Sequence, residues 1–212
     1  NEGVATISNG SGQLLFYTDG RFVYHKNHHI TPNGSDLTGD SSSTQSAVIV
    51  PKPDDPNIYY IFTVDNGGGN DGLRYSEFDL TLNNGDGDVT TLKNVLLSTP
   101  TTEKITAVQN ADGSGYWVLS HAWQSDAFLV FEVTSAGVNE TPMTQSIGSS
   151  HSGGSAESIG YLKASSDGQR IAIVQWGSNS FAEIFDDPVS TLLTIAQQIH
   201  EQDIEANIRI GA

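Results

Sequence analysis

Three pairs of apolar runs recur along this chain at nearly equal spacing, and this recurrence constrains the fold more than any other feature. The first runs of the pairs lie at Tyr59, at Tyr116 and from Ile171, each after a polar turn: "PDDPN", "NADGSG" or "SSDGQ". Each is followed by a second run that carries an acid: "LRYSEFD", "FLVFEV" or "FAEIFD". Alternating apolar and polar residues between Gly, Asn, Asp and Pro are typical of β-strands. A repeat of about 55 residues with about four strands is close to the length of a kelch-type propeller blade.

We therefore predict an all-β, β-propeller-like fold with about three and a half four-stranded blades over residues 1–186. Closed propellers have about four to eight blades, and an incomplete ring leaves unpaired strand edges that favour association. The sequence thus predicts a ring that is incomplete, that a partner closes, or whose edge the tail of the chain covers. A β-sandwich whose strands repeat by chance is the alternative that the pattern leaves open.

Residues 187–212 differ in kind from the strands before them. Pro188 suits the first turn of a helix. Leu192, Ile195 and Ile199 then recur at spacings of three and four, which is the period of an apolar helix face. We predict a short C-terminal helix in this tail.

The segment "SSSTQSAVIVPKPDDPNIYYIFTVD" joins serines to a dense apolar run, which raises the question of an enzyme nucleophile. Neither Ser46 nor Ser152 lies in a Gly-x-Ser-x-Gly turn, the usual setting of an exposed nucleophilic serine. We interpret the segment as a blade boundary, in which Pro51, Pro53 and Pro56 end one strand and "NIYYIFTVD" begins the next unit.

Charge and composition exclude several classes of function. The chain has 25 acids against 9 bases, a net charge of −16, so the phosphate backbone of nucleic acid would be repelled. It has no cysteine, which excludes disulfides and cysteine-based zinc sites. No apolar stretch approaches the roughly 18 residues of a membrane-spanning helix, so we predict no membrane span.

Two histidines are the first candidates for ligand binding. His121 in "SHAW" and His151 in "SSHSGG" come at the same point of their repeats. Loops at one end of the strands in a propeller gather around its central channel, so side chains from successive blades can meet there. Together with Trp123, Trp176 and Arg74, they predict a polar and aromatic ligand pocket. Trp is also an ordinary packing residue of blades, and this second role stays open for both tryptophans.

Two turns rich in Asp and Asn offer the hard oxygen ligands that Ca²⁺ prefers. One holds Asp65, Asn70 and Asp71 in "VDNGGGND", and the other holds Asp86 and Asp88 in "NNGDGDVT". Neither turn has the spacing of an EF-hand, and such turns also form without metal because Asn and Asp tolerate left-handed backbone. Calcium is the cofactor that the sequence favours.

A further group of histidines lies in "YHKNHHITPNG". His25 could share a transition metal with His28 or His29 only if a loop follows Asn27. We interpret this group as a solvated loop.

Several long motifs resemble one known family. They are "EGVATISNGSGQLLFYTDG", "TPNGSDLTGDSSSTQSAVIVPKP", "GLRYSEFDLTLNNGDGDVTTLKNVLLSTPTTEKITAV", "YWVLSHAW" and "HSGG" followed by "IGYLKASSDGQRIA". They resemble the propeller region of gliding-motility-associated, type IX secreted proteins of bacteria, over residues 1–186. The resemblance implies a secreted or cell-surface protein whose propeller binds a ligand. The chain departs from the family at its start, which resembles the second strand of an opening blade, and over its last 26 residues.

From these observations the sequence predicts a binding or adhesion module for an extracellular ligand, a glycan or a protein, without catalysis. A hydrolase or lyase acting on an extracellular polysaccharide or ester is the first alternative. The second is a structural repeat unit that forms a homo-oligomer through open blade edges.

Overall fold

The computed structural model describes residues 1–186, which form four antiparallel sheets in chain order. The prediction of a C-terminal helix falls on residues 187–212 and lies outside the described residues. About half of the described residues are β-strand, and the four sheets are arranged as the four blades of a β-propeller. The all-β propeller fold predicted from the repeats is therefore confirmed.

Sheets 1 and 2 contain the first eight strands. Sheet 1 has the order β1-β2-β3, and sheet 2 has the order β4-β5-β6, with β7 and β8 both pairing with β6. The strands are β1 (Ala5–Ser8), β2 (Leu14–Thr18), β3 (Val23–His25), β4 (Ala47–Pro51), β5 (Ile58–Val64), β6 (Leu73–Asp79), β7 (Asp88–Val89) and β8 (Val95–Ser98).

Sheets 3 and 4 contain the remaining eight strands of the described residues. Sheet 3 has the order β9-β10-β11, with β12 and β13 both pairing with β11, and sheet 4 has the order β14-β15-β16. The strands are β9 (Thr101–Gln109), β10 (Tyr116–Ala122), β11 (Ser125–Thr134), β12 (Gly137–Val138), β13 (Met143–His151), β14 (Gly160–Ala164), β15 (Arg170–Gln175) and β16 (Phe181–Asp186). Two short 3₁₀ helices, Asn83–Gly85 and Ser155–Ser158, complete the described elements.

Apolar side chains from facing sheets form three separate clusters, one between each consecutive pair of sheets. Phe16 and Phe78 stack between sheets 1 and 2, with ring centroids 3.9 Å apart. Phe62 and Phe131 belong to the cluster between sheets 2 and 3. Sheets 2 and 3 are therefore covered on both faces, as inner blades of a propeller are.

The first strands of neighbouring sheets lie side by side, since β1 contacts β4, β4 contacts β9 and β9 contacts β14. Gln45, just before β4, links two of these strands with its side chain. Its Oε1 accepts hydrogen bonds from the backbone N–H of Ile105 (3.2 Å) and of Leu162 (2.7 Å). The side-chain amide thus substitutes for strand pairing where the sheets diverge.

One detail of the predicted organisation was wrong. The turn containing Pro51, Pro53 and Pro56 joins β4 to β5 within sheet 2, so the blade boundary lies before Ala47 rather than after Pro51. The four blades have three, five, five and three strands, where the sequence predicted about three and a half blades of four strands. No helix among the described residues is long and apolar enough to cross a membrane.

Candidate functional site

The hairpins that join the second and third strands of the sheets lie at one end of the molecule. These four turns, residues 19–22, 65–72, 123–124 and 176–180, together with the segments that they contact, are called the hairpin end below. Asn66 donates a hydrogen bond from its amide nitrogen to the Asp40 carboxylate (3.0 Å), and Gln124 donates one to the Gly153 carbonyl oxygen (3.3 Å). Each hairpin is thus tied to a segment that links two sheets.

Glu103 of β9 holds several parts of the hairpin end together. Its side chain is buried, and its Oε2 accepts hydrogen bonds from the backbone N–H and the hydroxyl of Thr44 (2.8 and 2.7 Å). Its Oε1 accepts from the backbone N–H of Gly67 (2.9 Å) and from the Ser158 hydroxyl (3.3 Å). A carboxylate that accepts several N–H and O–H bonds fixes its donors firmly, so Glu103 sets the position of the 65–72 hairpin.

Trp123 is the aromatic side chain of the turn between β10 and β11 at the hairpin end. It is half-buried at the turn between β10 and β11, and its backbone N–H donates to the carbonyl oxygen of Pro100 (3.1 Å). Its indole lies against Gly68, where a Cβ would collide with the ring. Gly68 also has a φ of +74°, which glycine adopts without strain. The 65–72 hairpin therefore forms one wall against the indole.

His121 and His151 contact each other behind this surface, with ring centroids 4.0 Å apart. Both are buried, with 0% and 1% of their surface exposed. The ring of His121 donates from Nδ1 to the Ala122 carbonyl oxygen (2.9 Å), which leaves Nε2 as a lone pair. That Nε2 and the Nδ1 of His151 have no hydrogen-bond partner among residues 1–186.

Burial decides the charge of these two imidazoles. It lowers the pKa of His121 from 6.5 to about 4, against a smaller opposing effect of the bond to Ala122. It lowers the pKa of His151 to about 2, with a further contribution from His121. Both rings are therefore neutral at physiological pH, and neither touches solvent.

Lys104 belongs to the same buried layer between sheets 3 and 4. Side chains alternate along a strand, so Lys104 points to the face opposite Glu103. Its Nζ donates to the Ser158 carbonyl oxygen (2.7 Å), and burial lowers the pKa of the amine to about 7. Gly160 makes room for it, because a Cβ at that position would lie 2.7 Å from the Lys104 Cε. No prediction from the sequence included Glu103 or Lys104. The signal that could have identified them is a charged pair inside the strand-like run "TTEKITAV".

Arg74 and Trp176, the other two predicted ligand residues, belong to other sheets than the two histidines of sheet 3, Arg74 to sheet 2 and Trp176 to the turn after β15 of sheet 4. Arg74 of β6 donates from Nε to the Asp71 carbonyl oxygen (2.9 Å) and from a terminal nitrogen to that of Asn94 (3.1 Å). Trp176 follows β15 on the outward face of sheet 4 and is 60% exposed. The structure thus brings together three of the five predicted residues, and two of those three are buried.

The acids predicted to bind calcium have partners within the protein. Asp65 accepts hydrogen bonds from the backbone N–H of Asn66 (2.8 Å) and of Asp71 (3.0 Å). The backbone carbonyl of Asn70 accepts from Thr99 (3.0 Å). These bonds are those of a capped turn, and among residues 1–186 no group of three or more His, Asp or Glu side chains could hold a metal ion.

The second predicted calcium turn is also tied to its neighbours. Asp86 forms an ion pair with Lys26 (3.0 Å), and Asp88 accepts a hydrogen bond from the Asn33 backbone N–H (2.8 Å). The binding of calcium at either turn stays a prediction. In the predicted solvated loop, His25 and His29 have ring centroids 5.7 Å apart, and His29 is exposed while His25 is buried.

A wide groove lies at the opposite end of the molecule, between sheets 2 and 3. Its volume is about 740 Å³, and it is lined by residues 51–56 and by parts of the β9–β10 and β11–β12 turns, Tyr116 among them. No sequence pattern predicts a groove there, because its walls come from three separate turns.

Comparison with protein-family models and with curated proteins finds no match to this chain. The geometry of the hairpin end is therefore the basis for a functional proposal.

Proposed function

We propose that the protein is a non-catalytic binding module that recognises an extracellular ligand at the hairpin end, with a glycan as the ligand class. The observation that carries the proposal is Trp123, whose half-buried indole lies against Gly68. Gly68 belongs to the 65–72 hairpin, and the hydrogen bond from Gly67 to Glu103 holds that hairpin in position. Trp joins a large apolar face to one polar N–H, a combination suited to ligands with both apolar and polar surfaces. The amide of Gln124 lies in the same turn, and that of Asn66 lies in the neighbouring 65–72 hairpin.

The buried histidines support binding rather than catalysis. A general base must come within about 3 Å of the proton that it removes. His121 and His151 are enclosed between sheets 3 and 4, and the Glu103 carboxylate already accepts bonds from Thr44, Gly67 and Ser158. A hydrolase or lyase at this end would have to open the packed layer before either imidazole could act.

An extracellular location is part of the proposal and rests on the sequence. The surplus of acids and the absence of cysteine suit an exported bacterial protein, as does the resemblance to surface propellers. The same net charge of −16 disfavours polyanionic ligands, because like charges repel across a surface. Neutral oligosaccharides are therefore the first ligands to test.

The test is a screen of neutral oligosaccharides by isothermal titration calorimetry, followed by two aromatic variants. We expect Trp123→Ala to lose about tenfold or more in affinity, in line with the cost of removing a buried aromatic contact. Tyr116→Ala is the matched control, because its half-buried ring lines the groove at the opposite end of the molecule, and it should bind as the parent does.

Two outcomes would contradict the proposal. One is equal affinity of the parent and Trp123→Ala for every ligand found. The other is no binding in the screen together with turnover of a polysaccharide or ester that is lost in His121→Ala or His151→Ala.

A further inference from the structure

The outward face of sheet 4 is open to solvent and apolar over the part nearest the hairpin end, while Lys163 and the Arg170–Asp186 ion pair lie on its remainder. Along β14, β15 and β16 the residues alternate strictly between covered and uncovered positions. The uncovered set includes Tyr161, Val174, Trp176 and Ile184, which are 53%, 37%, 60% and 70% exposed. Tyr161 lies directly opposite Val174, so the apolar surface runs without a break from β14 to β15. Contiguous apolar surface of this kind marks an interaction site on a protein in solution.

The apolar part of this face resembles the faces that are covered elsewhere in the molecule. Between sheets 3 and 4, Leu119 and Phe128 of one sheet pack against Leu162 and Ile173 of the other. Aromatic and β-branched or γ-branched side chains from alternate strand positions thus make up both the covered face and the open one. The outward face of sheet 4 is therefore built for another sheet.

Sheet 1 carries the second open face, at the other end of the row of sheets. Ala5 and Phe16 pack towards sheet 2, so the residues that alternate with them point away from it. These are Thr6, which is exposed, and Tyr17 and Tyr24, which are half-buried; they lie side by side on three strands, with the two tyrosine rings stacked 4.9 Å apart and the ring of His28 beside Tyr17. Among residues 1–186, no apolar cluster joins sheet 1 to sheet 4.

The two open faces are the complementary halves of one contact. In each covered interface, one sheet presents the face that looks forward along the chain, and the next presents the face that looks back. Sheet 4 has its forward face open, and sheet 1 has its backward face open. We propose that the protein forms a head-to-tail dimer in which the outward face of sheet 4 packs on the Thr6, Tyr17 and Tyr24 face of sheet 1 in a second copy.

Two such contacts close the dimer, because a heterologous interface forms a ring when its rotation closes. The product has eight blades, at the upper end of the usual range of about four to eight. Each copy carries a charge of −16, so electrostatic repulsion opposes association and salt screens it. The dimer is therefore expected to be tighter at high ionic strength, unlike a contact held by ion pairs.

The first test measures mass in solution by light scattering over a range of protein and salt concentrations. We expect twice the mass of the chain, and the mass of a single chain for the Trp176→Asp/Ile184→Asp variant. Leu96→Asp is the control, because Leu96 is 46% exposed on β8 of sheet 2, away from both open faces. Circular dichroism shows whether the variants keep their strands.

The second test uses the absence of cysteine from the whole chain. A mixture of Val174→Cys and Thr6→Cys proteins should form a disulfide-linked dimer on mild oxidation, whereas Val174→Cys alone should not. The mass of a single chain at every protein and salt concentration would overturn the proposal. Self-linking of Val174→Cys would also overturn it, since that result requires sheet 4 to face sheet 4.

Discussion

At the scale of single residues, two imidazoles that the sequence marked for ligand contact lie in the interior. His121 is packed edge-on against Phe128, and His151 against Phe181, with centroid distances of 4.8 and 5.0 Å. Gln175 adds a third polar side chain to this layer, and its Oε1 has no hydrogen-bond partner among the described residues. Buried polar atoms without partners are rare, and ordered water is a common reason for them. The layer is therefore a polar seam between sheets 3 and 4.

The neutral histidines predict a loss of stability in acid. The unfolded chain takes up protons as the pH falls through about 6.5, whereas folded His121 does so only near its pKa of about 4. Because the unfolded state binds more protons between these values, the free energy of unfolding falls as the pH drops through this window and is unaffected above it. At about 1.4 kcal/mol per pKa unit, His121 should account for about 2 kcal/mol at about pH 5.

Urea unfolding near pH 7 and near pH 5 measures this difference. We expect His121→Gln to lose about 2 kcal/mol less than the parent between the two pH values. His29→Gln is the control, because His29 is exposed in the turn after β3, and it should behave as the parent does. An identical pH dependence of the parent and His121→Gln would show that His121 does not resist protonation in the folded state.

Part of this site was predictable from the sequence, and part was not. His121, Trp123 and His151 stand at matching points of a repeat, so their proximity follows from the period. Their burial does not, because it depends on Phe128 and Phe181, which cover the rings from other strands. Single-sequence patterns show which residues share a face of a strand, but not what covers that face.

At the scale of elements, strands with strong apolar alternation were predicted and weak ones were missed. β5, β10 and β15 coincide with the three repeated runs. β13 (Met143–His151) was not predicted, because most of its residues are exposed and it lacks apolar alternation. The run "DVTTLKNVLLS" is rich in strand-forming residues, yet it is split into β7 and β8 around Asn94, whose φ of +55° breaks the extended backbone.

Glu103 links strand β9 to the hairpin end, and its replacement tests that link. In Glu103→Gln, the new NH₂ group would face N–H and O–H donors from Thr44 and Gly67 and could not accept from all of them. Hydrogen bonds to a charged group contribute about 1.5–3 kcal/mol each. We expect the free energy of unfolding to fall by about 2–4 kcal/mol.

Hydrogen exchange at the Gly67 amide separates a local effect from a global one. In Glu103→Gln this amide should exchange faster even under conditions where the protein stays folded, because its acceptor is weakened. Glu132→Gln, a change at a half-buried acid of β11 in the same sheet, should leave the Gly67 amide protected. Equal protection of Gly67 in the parent and Glu103→Gln would mean that other contacts hold the 65–72 hairpin.

At the scale of the whole molecule, the repeat predicted the number and order of strands better than it predicted which faces of the first and last sheets are open to solvent. Tyr161 and Trp176 show why. In a propeller both faces of an inner blade are apolar. An apolar residue at every second position of a strand therefore makes the same sequence pattern whether that face of the sheet is covered or open. Whether such a face is open depends on the placement of sheets far apart in the chain, and no local pattern encodes that placement.

The row of sheets also predicts a gradient of local stability. Sheets 2 and 3 are covered on both faces, whereas sheets 1 and 4 are each covered on one. Amide exchange in the native state follows the burial of apolar contacts around each strand. We expect this gradient in the Trp176→Asp/Ile184→Asp variant, in which association is blocked. The amides of β5 and β10 should exchange most slowly, and those of β2 and β15 should exchange faster because their sheets open locally.

The same measurement on the parent protein connects this gradient to the proposed dimer. Raising the protein concentration should slow amide exchange in β2 and β15 together. The head-to-tail contact covers sheet 1 of one copy with sheet 4 of the other, and a complex that forms only from folded chains stabilises the strands that it covers. Exchange in β5 and β10 should change less, since both of their faces are covered in the single chain. Protection that rises in β15 but not in β2 would contradict head-to-tail pairing, because that contact must cover both ends of the molecule at once.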